Sequence, residues 1–257
     1  MDDLQRALAF MSWFENACAQ EVLPWSRGLA LFNPEFPKVY MLNFLRVEGS
    51  HDDLDFDELI AEADELHARA GHSHRDVVIE DSRLGAVLAP AFRKAGWEVS
   101  TLLVMAYRGE RELPETGRNV RELTSDELRA MRAHSLAFGP SSRDPEMIRQ
   151  LIAKDALLAR AGGARFFGAV VEGQTVCSAD LYSDGATAQI ESVLTLQSHR
   201  RRGLGRAVVS EAIRAAVASG HDFIFLVADD EDWPKELYAR MGFEPLGRCY
   251  DFLKSPD

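Results

Sequence analysis

The sequence predicts an α/β fold with a mixed α+β sheet, laid out as two domains in tandem. Three observations predict it. Apolar runs of strand length alternate with longer runs whose apolar residues recur at helical spacing. Two segments recur at one offset: Asp76-Val77-Val78-Ile79 matches Asp222-Phe223-Ile224-Phe225, and Phe92 to Glu98 (FRKAGWE) matches Tyr238 to Glu244 (YARMGFE), each 146 residues on and without a gap. The second copy alone carries a turn rich in glycine and arginine, Gln197 to Arg206, between a strand-like and a helix-like run.

The chain begins with a helix, since Leu4, Leu8, Met11, Phe14 and Cys18 share one face. Gly28 to Pro37 reads as loop and Val39 to Val47 as a strand. Helix follows over Phe56 to Ala70, with Leu59, Ile60, Ala63, Leu66 and Ala70 on one side. Val77 to Ile79 is a short buried strand, Leu84 to Ala95 a helix stopped by Gly96, and Trp97 to Tyr107 a strand. Gly109 to Arg118 is polar and holds Pro114 and Gly117, which suits a linker. The domains expected are 1–110 and 119–257, joined by 111–118.

The second cycle opens with a strand at Val120 to Leu123. Thr124 with Glu127 forms a capping box for a helix to about Phe138. Gly139 to Asp144 is a loop, and Pro145 to Ala161 a second helix. Phe166 to Val171, Thr175 to Tyr182 and Ala188 to Leu196 are three strands, turned at Gly173-Gln174 and Asp184-Gly185. After the glycine-arginine turn come helix Leu204 to Ala218, strand Phe223 to Val227, helix Asp232 to Met241 and strand Phe243 to Phe252.

The whole chain narrows the function. It has 257 residues, 46% of them hydrophobic, and a net charge of −12, which argues against general nucleic-acid binding. No apolar run nears the roughly 20 residues of a membrane span. Met1-Asp2-Asp3 opens no signal peptide. Cys18, Cys177 and Cys249 show neither disulfide nor zinc spacing and read as reduced thiols. A cytoplasmic protein is expected. His67, His72 and His74 lie around a helix end without a metal motif and read as surface residues. Trp13, Trp25 and Trp97 read as core.

Against that acidic background the Gln197 to Arg206 turn stands out. Glycines let a backbone approach a ligand, the following helix aims free N–H groups at the same spot, and arginines suit phosphate. The local reading is a pyrophosphate cradle; its rival is a solvated basic turn.

Three segments in register make residues 120 to 254 resemble the GNAT acetyltransferase superfamily. Gln197-x-x-Arg200-x-x-Gly203-x-Gly205 is similar to its acetyl-CoA loop, Ile190 to Thr195 to the strand before that loop, and Leu237 to Phe243 to its last helix-to-strand segment. The N-terminal half resembles a degenerate copy. Where the loop should fall it has acidic Gly49 to Asp55, and Phe92 replaces Tyr238, so neither cofactor nor catalysis is expected there.

The resemblance implies an acetyl-CoA-dependent N-acetyltransferase acting by direct attack of a primary amine in a ternary complex. The loop residues Arg200, Arg201, Arg202, Gly203, Leu204, Gly205 and Arg206 would meet the pyrophosphate. The backbone of Val193, Leu194 and Thr195 would hold the pantetheine arm and polarise the thioester carbonyl. Tyr238 is the candidate acid and Glu191 the candidate base, with Asp180 and Asp184 as alternatives. A tyrosine packed in the core and an exposed or salt-bridged carboxylate are the plain alternatives. Asp229 to Asp232 stand where the family often has an asparagine near the cofactor; they read mostly as solvated loop, with Asp232 capping a helix. No metal is implied. The acceptor is a small molecule or a protein amino group, and the chain a monomer or homodimer. A non-catalytic acyl-CoA-binding or sensor module of the same fold is the main rival, and an inert interaction protein the lesser one.

Overall fold

The computed structural model describes residues 1–109, 113, 118–137 and 144–256. Most of the expected linker 111–118 and of the loop at 139–144 therefore lies outside the described residues. The chain forms two compact units. Unit 1 comprises Met1–Val104, Ala228–Lys235 and Leu246–Asp257; unit 2 comprises Met105–Val227 and Glu236–Pro245. Residues 228–235 and 246–257, which the sequence reading groups with 119–257, thus cluster with the first unit.

Unit 1 starts with α1 (Asp3–Cys18), opened by a capping box between Asp2 and Gln5. It buries Ala7, Phe10, Phe14 and Cys18, a face rotated from the one expected, and leaves Trp13 exposed. Next comes β1 (Glu21–Trp25), paired antiparallel with β2 (Gly28–Phe32), where a loop was expected. Gly28 is required there, because a Cβ would sit 2.1 Å from the Arg46 carbonyl oxygen across the neighbouring strand. That strand, β3 (Phe44–Val47), is shorter than expected, since Tyr40–Leu42 forms a 3₁₀ turn. The helix α2 (Phe56–Arg69) leads to β4 (Arg75–Ile79), which runs parallel to β3. Then follow α3 (Ser82–Lys94) and β5 (Glu98–Tyr107). The core gathers Leu45, Val77, Ile79, Leu59, Leu88, Phe92 and Trp97.

Unit 2 holds β6 (Val120–Leu123), then α4 (Ser125–Leu136), whose Thr124–Glu127 capping box is present in both directions, and α5 (Pro145–Gly162). The strands β7 (Arg165–Val171), β8 (Gln174–Asp184) and β9 (Thr187–Thr195) pair antiparallel in sequence order. The helix α6 (Leu204–Ala218) packs on β8 and β9 and leads to β10 (Phe223–Asp229), parallel to β9. The chain ends with α7 (Pro234–Arg240) and β11 (Phe243–Lys254). The Tyr250 to Lys254 part of β11 pairs antiparallel with β4, within unit 1.

A strand, a turn, a helix and a parallel strand therefore occur twice, as β3–α2–β4 and as β9–α6–β10. Among the described residues no helix is long and apolar enough to cross a membrane.

Candidate active site

The site is built where β9 parts from its neighbour. Parallel pairing of β9 with β10 ends at Ile190↔Leu226, yet β9 continues to Thr195. On its other edge β9 carries one extra residue against β8, between Glu191↔Asp180 and Leu194↔Ser178. Ser192 takes a left-handed φ of 52° in this bulge. A bulge ends regular pairing and re-aims the side chains beside it. Among the described residues Val193, Leu194 and Thr195 thus lie on a strand with a partner on one edge only.

Past β9 the chain makes a short 3₁₀ turn and enters α6. Gly203 precedes the helix with φ 76°, a conformation that favours glycine, and offers no side-chain cap. By contrast α1, α2, α3, α4 and α5 each start with an Asp or Thr whose side chain accepts from a first-turn N–H. The first N–H groups of α6 are left for another acceptor. Gly205 faces open space: a Cβ there would meet only Thr195 Oγ1, at 3.8 Å. Packing within the chain does not call for glycine at this position, whereas close approach of a ligand does.

Arg200, Arg201 and Arg202 are exposed and Arg206 is half-buried. Among the described residues none of the four guanidinium groups is ion-paired; Arg200 donates to the Thr195 carbonyl at 3.3 Å. Arg118 donates to the Arg202 carbonyl at 3.0 Å, tying the turn back toward β6. The uncapped helix start and four unpaired cations fit a diphosphate.

Glu191 is half-buried on β9. Its Oε1 accepts from Gln189 Nε2 at 2.8 Å, and its Oε2 from the Ser192 amide at 3.3 Å. Desolvation outweighs these bonds and raises its pKa to about 7, with the Asp180 charge adding to the rise and Lys154 opposing it. Tyr238 on α7 is buried. Desolvation raises its pKa, and the nearby Glu191 and Cys177 raise it further, so the phenol keeps its proton. Cys177 Sγ lies 3.0 Å from Thr195 Oγ1, and burial lifts its pKa to about 11, which keeps it an unreactive thiol.

Asp180, the alternative base, is fully buried and bound twice by Arg132 Nη2, at 2.9 and 3.1 Å. Arg132 also donates to Asp155 at 3.1 Å, and Lys154 reaches the other Asp155 oxygen at 3.1 Å. Burial still raises Asp180 to about 6. It is half of a buried ion pair, which leaves Glu191 the better-placed base. The sequence reading missed Arg132, Lys154 and Asp155, which come from two helices with no shared motif. Gln189 was missed too, although its place two residues before Glu191 puts it on the same face of the strand.

Other expectations change. Asp230 is not solvated loop: it accepts from Arg248 at 2.6 Å and from Lys235 at 3.0 Å. Asp232 accepts from the Trp233 amide at 2.7 Å, ahead of α7. His67, His72 and His74 are buried rather than on the surface, and desolvation lowers His67 to about 3 and His74 to about 4. In the N-terminal copy Phe92 is fully buried and stacks on Phe252 with ring centres 4.0 Å apart.

The family model for the acetyltransferase (GNAT) family matches residues 126–243. This stretch belongs to the GNAT family. It spans the loop, Glu191 and Tyr238. Solved structures extend the likeness over the chain. A functionally unknown conserved protein from Staphylococcus epidermidis is 17% identical with a TM-score of 0.72, covering 93% of this chain and 95% of that one. A GCN5-related N-acetyltransferase from Kribbella flavida is 18% identical with a TM-score of 0.63, covering 99% and 96%. A tandem GNAT protein from the clavulanic acid biosynthesis pathway is 17% identical with a TM-score of 0.53, covering 82% and 75%. At these identities the likeness is one of fold, and that fold is a GNAT domain in tandem. No curated protein sequence matches the chain.

Proposed function

We propose that this GNAT protein is an acetyl-CoA-dependent N-acetyltransferase that acetylates a primary amine by direct attack, at one site per chain in unit 2. The observation that carries the reading is the opening of β9 beyond Ile190, which leads to an uncapped, arginine-flanked start of α6. The first-turn amides of α6 and the side chains of Arg200, Arg201, Arg202 and Arg206 hold the diphosphate. The free edge at Val193 to Thr195 takes the pantetheine amides by strand addition and directs an N–H at the acyl oxygen. Acetyl-CoA, when bound, supplies the activated acyl group as a thioester.

The residues then divide the proton work. With a pKa of about 7, Glu191 is half ionised near neutral pH and accepts a proton, directly or through water, either from the substrate ammonium before it attacks or from the amine nitrogen as it adds to the acyl carbon. Tyr238, with its pKa raised, donates a hydrogen bond to the departing sulfur rather than acting as a strong acid. Gln189 and the Ser192 amide hold the Glu191 carboxylate in place. The acidic chain favours a cationic acceptor, small molecule or protein amino group.

Calorimetry with acetyl-CoA, then a screen of amine acceptors that follows thiol release, tests the reading. Binding of about one equivalent per chain with turnover of at least one amine is expected. Absence of binding at sub-millimolar acetyl-CoA would falsify it. Binding with turnover that is unchanged in both Glu191→Gln and Tyr238→Phe would instead overturn the assigned roles.

A further inference from the structure

We propose that His67, His72 and His74 of unit 1 form a binding site for a divalent transition-metal cation of the zinc class, independent of the acetyl-transfer site. The backbone brings the three together. The end of α2 is a Schellman turn: Gly71 has φ 75°, its N–H donates to the Ala68 carbonyl at 3.0 Å, and the His72 N–H donates to the His67 carbonyl at 2.9 Å. In this motif the residues at the places of His67 and His72 are set face to face, normally as an apolar contact. Here they are two imidazoles with Nδ1 atoms 3.1 Å apart. His74 follows two residues later, just before β4.

The nitrogens are arranged as donors to a shared centre. His74 Nε2 lies 3.0 Å from the Asn43 carbonyl oxygen, an acceptor only, so the ring proton sits on Nε2. That leaves His74 Nδ1 a bare lone pair, and it is buried with no hydrogen-bond partner. His67 Nε2 lies 3.2 Å from the Asp76 carbonyl oxygen and 3.3 Å from the Asp76 amide nitrogen, so the backbone holds that edge of the ring while Nδ1 meets His72. Backbone carbonyls behind metal-bound imidazoles serve this purpose, fixing tautomer and ring direction. The potential ligand atoms of all three residues lie within 4.8 Å of one another.

The ring positions match tetrahedral coordination. A nitrogen–zinc bond of about 2.0–2.1 Å, plus about 1.1 Å to the ring centre, puts each ring about 3.2 Å from the metal and the rings about 5.2 Å apart. The observed ring-centre distances are 5.3 Å for His67–His72, 5.2 Å for His67–His74 and 5.2 Å for His72–His74. Phe32 and Tyr40 pack on the outside of the cluster, Tyr40 stacked on His74 at 4.1 Å. Among the described residues no cysteine or carboxylate joins the group. A bound cation therefore keeps one position for water or a small ligand, entered past His72, the most exposed of the three at 7%.

The test uses the full chain, stripped with a chelator and then dialysed against zinc chloride or cobalt chloride, with metal measured by plasma mass spectrometry. The expected result is about one zinc per chain, a raised thermal midpoint, and a cobalt visible band of the intensity that four-coordinate sites give. His72→Gln should weaken zinc binding by more than the about 10–100-fold that loss of a supporting partner causes. His74→Ala should abolish it, while His221→Ala, outside the cluster, should leave it unchanged. Uptake below about a tenth of an equivalent by the wild-type chain overturns the proposal, as does a His72→Gln variant that binds like the wild type. Both readings stand even where His74→Ala fails to fold.

Discussion

The turn that leads into α2 and the turn that leads into α6 occupy the same place in two copies of one strand–turn–helix–strand unit. Ahead of α2 the helix is capped by the Asp55 carboxylate, and Asp57 and Glu58 fill its first turn. Two arginines answer the acidic charge there: Arg27 bridges Asp53 and Glu58 at 3.0 Å each, and Arg83 pairs with Asp52 at 3.0 Å. Ahead of α6 the cap is a bare Gly203, and the nearby charges are arginines with no ion pair among the described residues. The same backbone plan is closed with its own carboxylate in one copy and left without a side-chain cap in the other. The helix-to-strand segments tell the same story. Phe92 stacks on Phe252 and meets Phe56 and Trp97 edge-on in a core, whereas Tyr238 keeps a hydroxyl within electrostatic reach of Glu191. A duplicated scaffold holds its packing without its chemistry once the polar atoms are traded for apolar ones.

This contrast can be broken at single residues. The largest effect is expected at Glu191→Gln, which should lower kcat/KM by about 10²–10⁴-fold. It should also erase a rising limb in the pH profile. With a pKa of about 7, Glu191 must lose its proton to act as base, so wild-type kcat/KM should climb toward pH 7 and level off above it. Next, the paired aromatic positions should separate stability from turnover. Phe92→Ala should cost about 3–5 kcal/mol in denaturant unfolding. Tyr238→Phe should lower kcat by about 10²-fold while shifting unfolding by less than about 1 kcal/mol.

Gly205→Ala sharpens the comparison further, because the two effects have opposite sign. The new methyl meets only Thr195 Oγ1, so helix propensity should raise stability by about 0.5–1 kcal/mol. Acetyl-CoA affinity, measured by calorimetry, should fall at least about tenfold if the ligand backbone needs that space. The smallest effect is expected at Asp52→Ala. It should leave acetyl-CoA stoichiometry at about one per chain and stability within about 0.5 kcal/mol, since the turn before α2 has no anion to admit. A second binding event in this variant would mean that acidity alone silences the first copy.

Much of unit 2 was legible because its signals are local. Thr124 and Glu127 announce α4, Gly173 and Gly185 mark the turns of β8, and Gly203 marks the start of α6. Glu191 and Tyr238 were singled out through their place in the motif, but not the cause of Glu191's high pKa, which is desolvation by residues packed around it, with the Asp180 charge adding to the rise. The β1–β2 hairpin was not legible, since Ser26-Arg27 carries no hairpin-turn residue and Pro24 reads against a strand. What demands glycine at position 28 is a carbonyl from β3, invisible until the strands meet. The burial of His67, His72 and His74 was missed for a similar reason. Polar residues at a helix end are usually solvated, and only packing against Phe32, Tyr40 and Asn43 shows otherwise.

The pairing of β11 with β4 has a consequence for synthesis. Tyr250 and Phe252 belong to the core of unit 1, and Phe252 is fully buried there against Phe92. A ribosome delivers the chain from its N-terminus, so α1 to α3 emerge long before the strand that completes their core. Through that interval the edge of β4 and the face of Phe92 wait without their partner, exposed to wrong pairings and to chaperones. Unit 1 thus begins to emerge before unit 2 yet is completed after it, and its folding must keep pace with the translation of the segment between.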